Sequence, residues 1–139
     1  MISNKSVDIQ QTILAKCGQV EKLPNKWLLF SYGRMQYVYI DNCNNVDVLQ
    51  MSIPCITGME KYSRDRVMRI VNEVNREMKY VKIILLENGS VSLNYDHKRV
   101  GEEDVGEVVS HMIDSLDFAS KYFIEKLKNQ NLKCRPKIV

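Results

Sequence analysis

No stretch of the chain approaches the roughly 18 unbroken apolar residues that a membrane span requires, and the opening Met1-Ile2-Ser3-Asn4-Lys5-Ser6 lacks the apolar segment of a signal peptide. These two absences predict a soluble, cytoplasmic protein with no membrane partner. Histidine is limited to 2 residues, and His97 and His111 do not have cysteines or carboxylates at zinc-ligand spacing around both of them. The 4 cysteines, Cys17, Cys43, Cys55 and Cys134, are too irregularly spaced for a disulfide framework and read as free thiols. Glycine, at 6 residues, supplies no G-x-G-x-x-G, P-loop or G-x-S-x-G pattern, and H-E-x-x-H is also missing. Asp41, Cys43, Asn45 and Asp47 alternate as calcium ligands do, but Val46 stands where that loop needs glycine and Ser52 where it needs glutamate. Excess charge is lacking as well: 20 basic against 17 acidic residues leave +3, too little and too scattered for a nucleic-acid groove. The expectation is therefore no catalytic residue, no metal, no cofactor and no nucleic acid.

What remains is the patterning of one ordinary globular domain spanning residues 1–139, with 45% hydrophobic and 27% charged residues. Val7, Ile9, Ile13, Leu14 and Cys17 recur at helical spacing between a capping Ser6 and a terminating Gly18. The β-type runs 27–32, 35–40 and 46–53, separated by Gly33-Arg34 and by the turn-forming cluster 41–45, predict an antiparallel meander. Val67, Ile70, Val71, Val74 and Met78 then mark an amphipathic helix over 63–78. Asn88-Gly89 between runs 80–87 and 90–96 is a strong hairpin signal. Glu102, Glu103 and Asp104 open a last helix whose stripe runs through Val105, Val108, Val109, Met112, Leu116, Ala119 and Phe123 to Leu127, with a frayed basic tail from about residue 129. The order is α-β-β-β-α-β-β-α: an α+β fold with a five-stranded antiparallel sheet and helices on one face.

A two-residue loop at Asn88 and Gly89 would pair Leu86 with Val91 and Ile84 with Leu93, so these side chains and Tyr95 would face the helices. Val81, Ile83 and Leu85 would then point the other way, opposite Ser92, Asn94 and Asp96. In the meander, neither Tyr37 and Tyr39 nor Val38 and Ile40 give a plainly polar side. Burying this second face calls for the chain's own loops or tail, or for another chain. A homodimer built on Val81, Ile83, Leu85, Tyr37 and Tyr39 is the simplest supplier.

Val71-Asn72-Glu73-Val74-Asn75-Arg76-Glu77-Met78, the following Tyr80-Val81-Lys82-Ile83, and Glu87-Asn88-Gly89 through Tyr95-Asp96 resemble a bacterial pattern, that of the YbjN-like family. In that family a helix with an N-x-x-N segment runs into a hairpin whose final strand ends near a Tyr-Asp pair, and the fold is similar to that of type III secretion chaperones. The resemblance implies a non-enzymatic regulator or chaperone-like protein, commonly dimeric, that binds another polypeptide. Physically, Asn72 and Asn75 near a helix end are suited to bonding adjacent backbone or the following strand. The competing expectation is a small-molecule sensor or enzyme that uses the concave sheet face as a pocket, with Cys55, His97 or the tyrosines as polar groups.

Overall fold

The computed structural model describes residues 2–41 and 47–134, with side chains for 8–41 and 47–129. Helix α1 (Ile2–Cys17) stops where Gly18 turns left-handed at φ 85 and its N–H bonds the Leu14 carbonyl. Strands β1 (Glu21–Lys22), β2 (Leu28–Tyr32), β3 (Met35–Ile40) and β4 (Val48–Ile56) follow, then helix α2 (Arg64–Glu77). The Ser63 hydroxyl caps α2 by accepting from the Arg66 N–H, and the helix buries Val67, Ile70, Val71 and Val74. Strands β5 (Val81–Leu85) and β6 (Val91–Lys98) and the 30-residue helix α3 (Val105–Cys134) are the last of the described elements. Helix α3 runs on to Cys134, past residue 129 where the tail was expected to begin, and Leu127 is the last buried position among the described side chains. The rest of that tail, and the expected turn over residues 42–46, lie outside the described residues.

The strands form one antiparallel sheet in the order β1-β2-β3-β4-β6-β5. It has six strands, not five. The added strand, β1, is two exposed charged residues, so it leaves no apolar signature; pairing with Leu28 and Leu29 alone makes it a strand. Central strand β4 carries a register shift between Ile53 and Ile56, which accommodates Pro54, a residue with no N–H to donate. Helix α3 lies against β4, β5 and β6, α2 against β5 and α1 against β2. Together they enclose one core that includes Ile13, Phe30, Tyr37, Met51, Ile53, Ile70, Leu93, Met112, Leu116 and Phe123.

The hairpin corrects the expected register. Leu86 accepts from the Gly89 N–H at 3.0 Å and donates its own N–H to Ser90 at 2.8 Å, so the loop is three residues, Glu87-Asn88-Gly89, with Gly89 left-handed at φ 91. This is a turn followed by a glycine bulge rather than a two-residue turn, and Asn88 supports it by accepting from the Ser90 N–H and hydroxyl. The pairs become Leu85 with Val91, Ile83 with Leu93 and Val81 with Tyr95. Because side chains alternate across a strand, the one-residue slip turns all of β5 over. Val81 and Ile83 are buried against the helices and Leu85 is half-buried, while Ile84 and Leu86 are exposed on the other side.

Candidate interaction surface

Two adjacent rows of paired residues cross the whole sheet. The first runs Lys22, Leu28, Tyr39, Met51, Tyr95, Val81; apart from the edge lysine, every member is at most 5% exposed, and this row faces the helices. The second runs Glu21, Leu29, Val38, Ser52, Asn94, Lys82 and faces the opposite way. Beside it on that open face lie Ile40, Gln50 and Asp96 towards one end, and Ser92 with Ile84 towards the other.

The open face has a definite relief. Ser52 and Ser92 are 7% and 8% exposed because their short side chains sink between longer neighbours, forming the floor of a shallow trough. Asn94 donates to the Ser92 hydroxyl at 3.3 Å and Gln50 to the Asp96 carboxylate at 3.3 Å, so the floor is already tied laterally. Half-buried Leu29, Val38, Ile40 and Val48 flank the trough on one side, and exposed Ile84 and Leu86 on the other.

The five residues expected at a partner interface do not lie there. Val81, Ile83, Tyr37 and Tyr39 are core residues and Leu85 packs against that core, so the chain's own helices cover them. Tyr37 stacks on Phe30 at 5.2 Å between ring centres, and burial, aided by the nearby Asp117 charge, holds its hydroxyl neutral far above the usual phenol range. Burial, and then Asp41, do the same for Tyr39. Ile84, Leu86, Leu29, Val38 and Ile40 take their place on the open face. Their signal in the sequence is the alternation itself, legible once the hairpin register is correct.

Of the groups considered for a small-molecule pocket, Cys55 and His97 lie far apart. Cys55 is exposed at the β4 bulge, whereas His97 pairs with Leu49, six residues back along β4 and about 20 Å away. His97 Nε2 lies 2.9 Å from Glu103 Oε1, and Glu103 also accepts from the Val100 N–H; these two bonds hold its carboxyl below the usual range. The Cys17 thiol is pushed up, chiefly by burial. Among the described residues no cluster of three or more histidine, cysteine or carboxylate side chains has the grouping to hold a metal ion. The described helices include none long and apolar enough to cross a membrane.

Tyr80 and Tyr122 tie elements together at the margins of the core. The Val81 N–H bonds the Lys79 carbonyl at 2.8 Å, a tight three-residue turn that puts Tyr80 at φ 72. The turn folds the Tyr80 ring back onto Tyr95 at 5.8 Å, and His111 of α3 meets both rings edge-on. On the other flank Tyr122 donates to Glu77 and Lys126 bridges Glu73 and Glu77, fastening α3 to α2.

No family model matches the chain, and no curated protein matches it. Among solved structures it is similar to an uncharacterized protein from Methanothermobacter thermautotrophicus, with a TM-score of 0.62, 12% identity, and coverage of 90% of this chain and 98% of that one. At that identity the likeness is one of fold.

Proposed function

We propose that the chain is a protein-binding module rather than an enzyme, that it docks a partner on the open face of its sheet, and that its first partner is a second copy of itself. The observation that carries this reading is the open row and its flanks: Leu29, Val38, Ile40, Ile84 and Leu86 stand clear of the helix-covered core. Strands about 4.8 Å apart give a six-stranded face roughly 24 Å wide and about 20 Å long, on the order of 500 Å² in projection. Smaller specific interfaces bury roughly 600 Å² per partner, so the face suits a modest, concentration-dependent dimer. The sunken serines let two such faces approach, and a two-fold axis through the trough brings the Ile84 side of each copy over the Val38 side of the other. A regulator or chaperone-like role, and membership of the YbjN-like family with its secretion-chaperone fold, are part of this proposal. The α+β element order, apart from β1, is the one that the resemblance implies.

Sedimentation tests the reading. Wild type at tens of micromolar is expected to contain dimer, and Val38→Lys and Ile84→Lys are expected to give folded monomers. A wild type that stays monomeric removes the second copy as partner, and variants that dimerise unchanged remove the open face.

A further inference from the structure

An antiparallel sheet that is not closed into a barrel has two edges, each presenting unpaired N–H and C=O groups to any passing strand. In this sheet the same device sits on both. At the β5 edge the side-chain amide of Asn75, on α2, accepts from the Ile83 N–H at 2.8 Å and donates to the Ile83 carbonyl at 2.9 Å. At the β2 edge Gln19, in the link after α1, accepts from the Ser31 N–H at 3.0 Å and donates to the Ser31 carbonyl at 2.8 Å. A primary carboxamide presents one acceptor and one donor side by side, so each side chain stands in for one residue of a neighbouring strand.

Some of the flanking groups are occupied too. Val81 N–H turns inward to Lys79, and the Arg64 guanidinium bonds the Leu86 and Glu87 carbonyls past the end of β5. Along β2, the Leu23 N–H takes the Trp27 carbonyl and β1 pairs at Leu29, so the outward positions 27, 29 and 31 are all engaged. The outermost strand, β1, is only two residues long and charged, which is itself a poor template.

We infer that Asn75 and Gln19 guard the two edges of the sheet against strand addition, and that the surface closed by Asn75 is a latent pairing edge whose occupant, once the guard is gone, is the β5 of a second copy. Of the two, β5 is the edge at risk: it is five residues long, pairs on one side only, and carries β-branched Val81, Ile83 and Ile84. A two-fold axis would set two such strands antiparallel, each meeting the same residues of the other. This does not depend on the open face binding anything, because edge pairing and face packing use different atoms.

Hydrogen exchange and sedimentation on three single variants test the inference. Asn75→Ala is expected to speed exchange of the Ile83 amide by roughly five- to ten-fold, and Gln19→Ala that of Ser31, with ladder-bonded amides of β6 unmoved. Asn75→Ala should also gain an associated species that persists when Ile84→Lys is added, which separates it from association through the open face. Asn75→Asp retains an acceptor for the Ile83 N–H and places a charge on the edge, so it should not gain that species. If Asn75→Ala does not fold, Asn75→Asp and Gln19→Ala still report through their exchange rates. Unchanged exchange at Ile83 and Ser31 overturns the guard role. Faster exchange without new association in Asn75→Ala overturns the latent edge.

Discussion

The covered row and the open row of this sheet are built from the same strands, one residue out of phase, and differ in almost everything else. The covered row places Leu28, Tyr39, Met51, Tyr95 and Val81 in a line with at most 5% exposure. The open row places Leu29, Val38, Ser52, Asn94 and Lys82 in a line that the helices never reach. Size separates them: the covered row is large from Leu28 to Val81, whereas the open row drops to serine and asparagine at its centre, between aliphatic Leu29 and Val38 on one flank and Lys82, with Ile84 beside it, on the other. A face meant only for water needs neither Val38 with Ile40 nor Ile84 with Leu86. A face meant for the core does not tolerate Lys82.

Two neighbours on β5, Ile83 and Ile84, set the two faces furthest apart. Ile83 is 2% exposed inside the core, so Ile83→Asp buries a carboxylate and should cost more than about 4 kcal/mol, leaving most of the protein unfolded by circular dichroism. Ile84→Lys should change stability by no more than about 0.5 kcal/mol. Equal losses at the two positions would contradict the register.

At the margin of the covered face, Gly33 is left-handed at φ 57, and a Cβ there would clash with the Asp117 carboxylate of α3. Gly33→Ala should cost about 1–3 kcal/mol in thermal or urea unfolding, from backbone strain and displacement of Asp117. A loss within experimental error would mean that α3 sits further from the β2–β3 turn. Tyr37→Phe should fall within about 1 kcal/mol of wild type, since the hydroxyl is buried with no hydrogen-bond partner among the described residues while the ring supplies the packing. A larger loss would reveal a bonded hydroxyl.

The smallest effect concerns Glu103, at the end of the covered face beside His97. Its carboxyl is held low by His97 and the Val100 N–H, so its stabilising contribution is complete above the ordinary glutamate range and fades as pH falls through its own lower value. An NMR titration should place its midpoint below that of a free glutamate and move it up in His97→Ala. An ordinary midpoint in wild type would remove the pair.

Much of the fold was legible because long periodic segments bury one stripe: the α2 pattern from Val67 to Val74 and the α3 stripe to Leu127 both match the observed core. Asn75 was legible in kind, as an amide suited to bonding the following strand, and it bonds Ile83. Asn72, its companion in the motif, is exposed. The site was misread through one loop residue. Asn-Gly fits both a two-residue turn and the last two positions of a three-residue loop, and only pairing across the strands separates them. A signal was present: the shorter loop left Val81, Ile83 and Leu85 opposite polar neighbours, while the longer one sets them against Val91, Leu93 and Tyr95. The mismatch that pointed to an interface was evidence of a wrong register. Gln19 had no such signal, since its partner, Ser31, is distant in sequence and meets it only after β1 and β2 have paired.

Methyl NMR over a dilution series decides whether the open face, and not the covered one, meets a partner as proposed. Methyl resonances of Leu29, Val38, Ile40, Ile84 and Leu86 should move with concentration, while those of Ile53, Ile70, Leu93 and Leu116 stay fixed. Shifts confined to the helical side, around exposed Leu14 and Met68, or no shifts across the series, would contradict it.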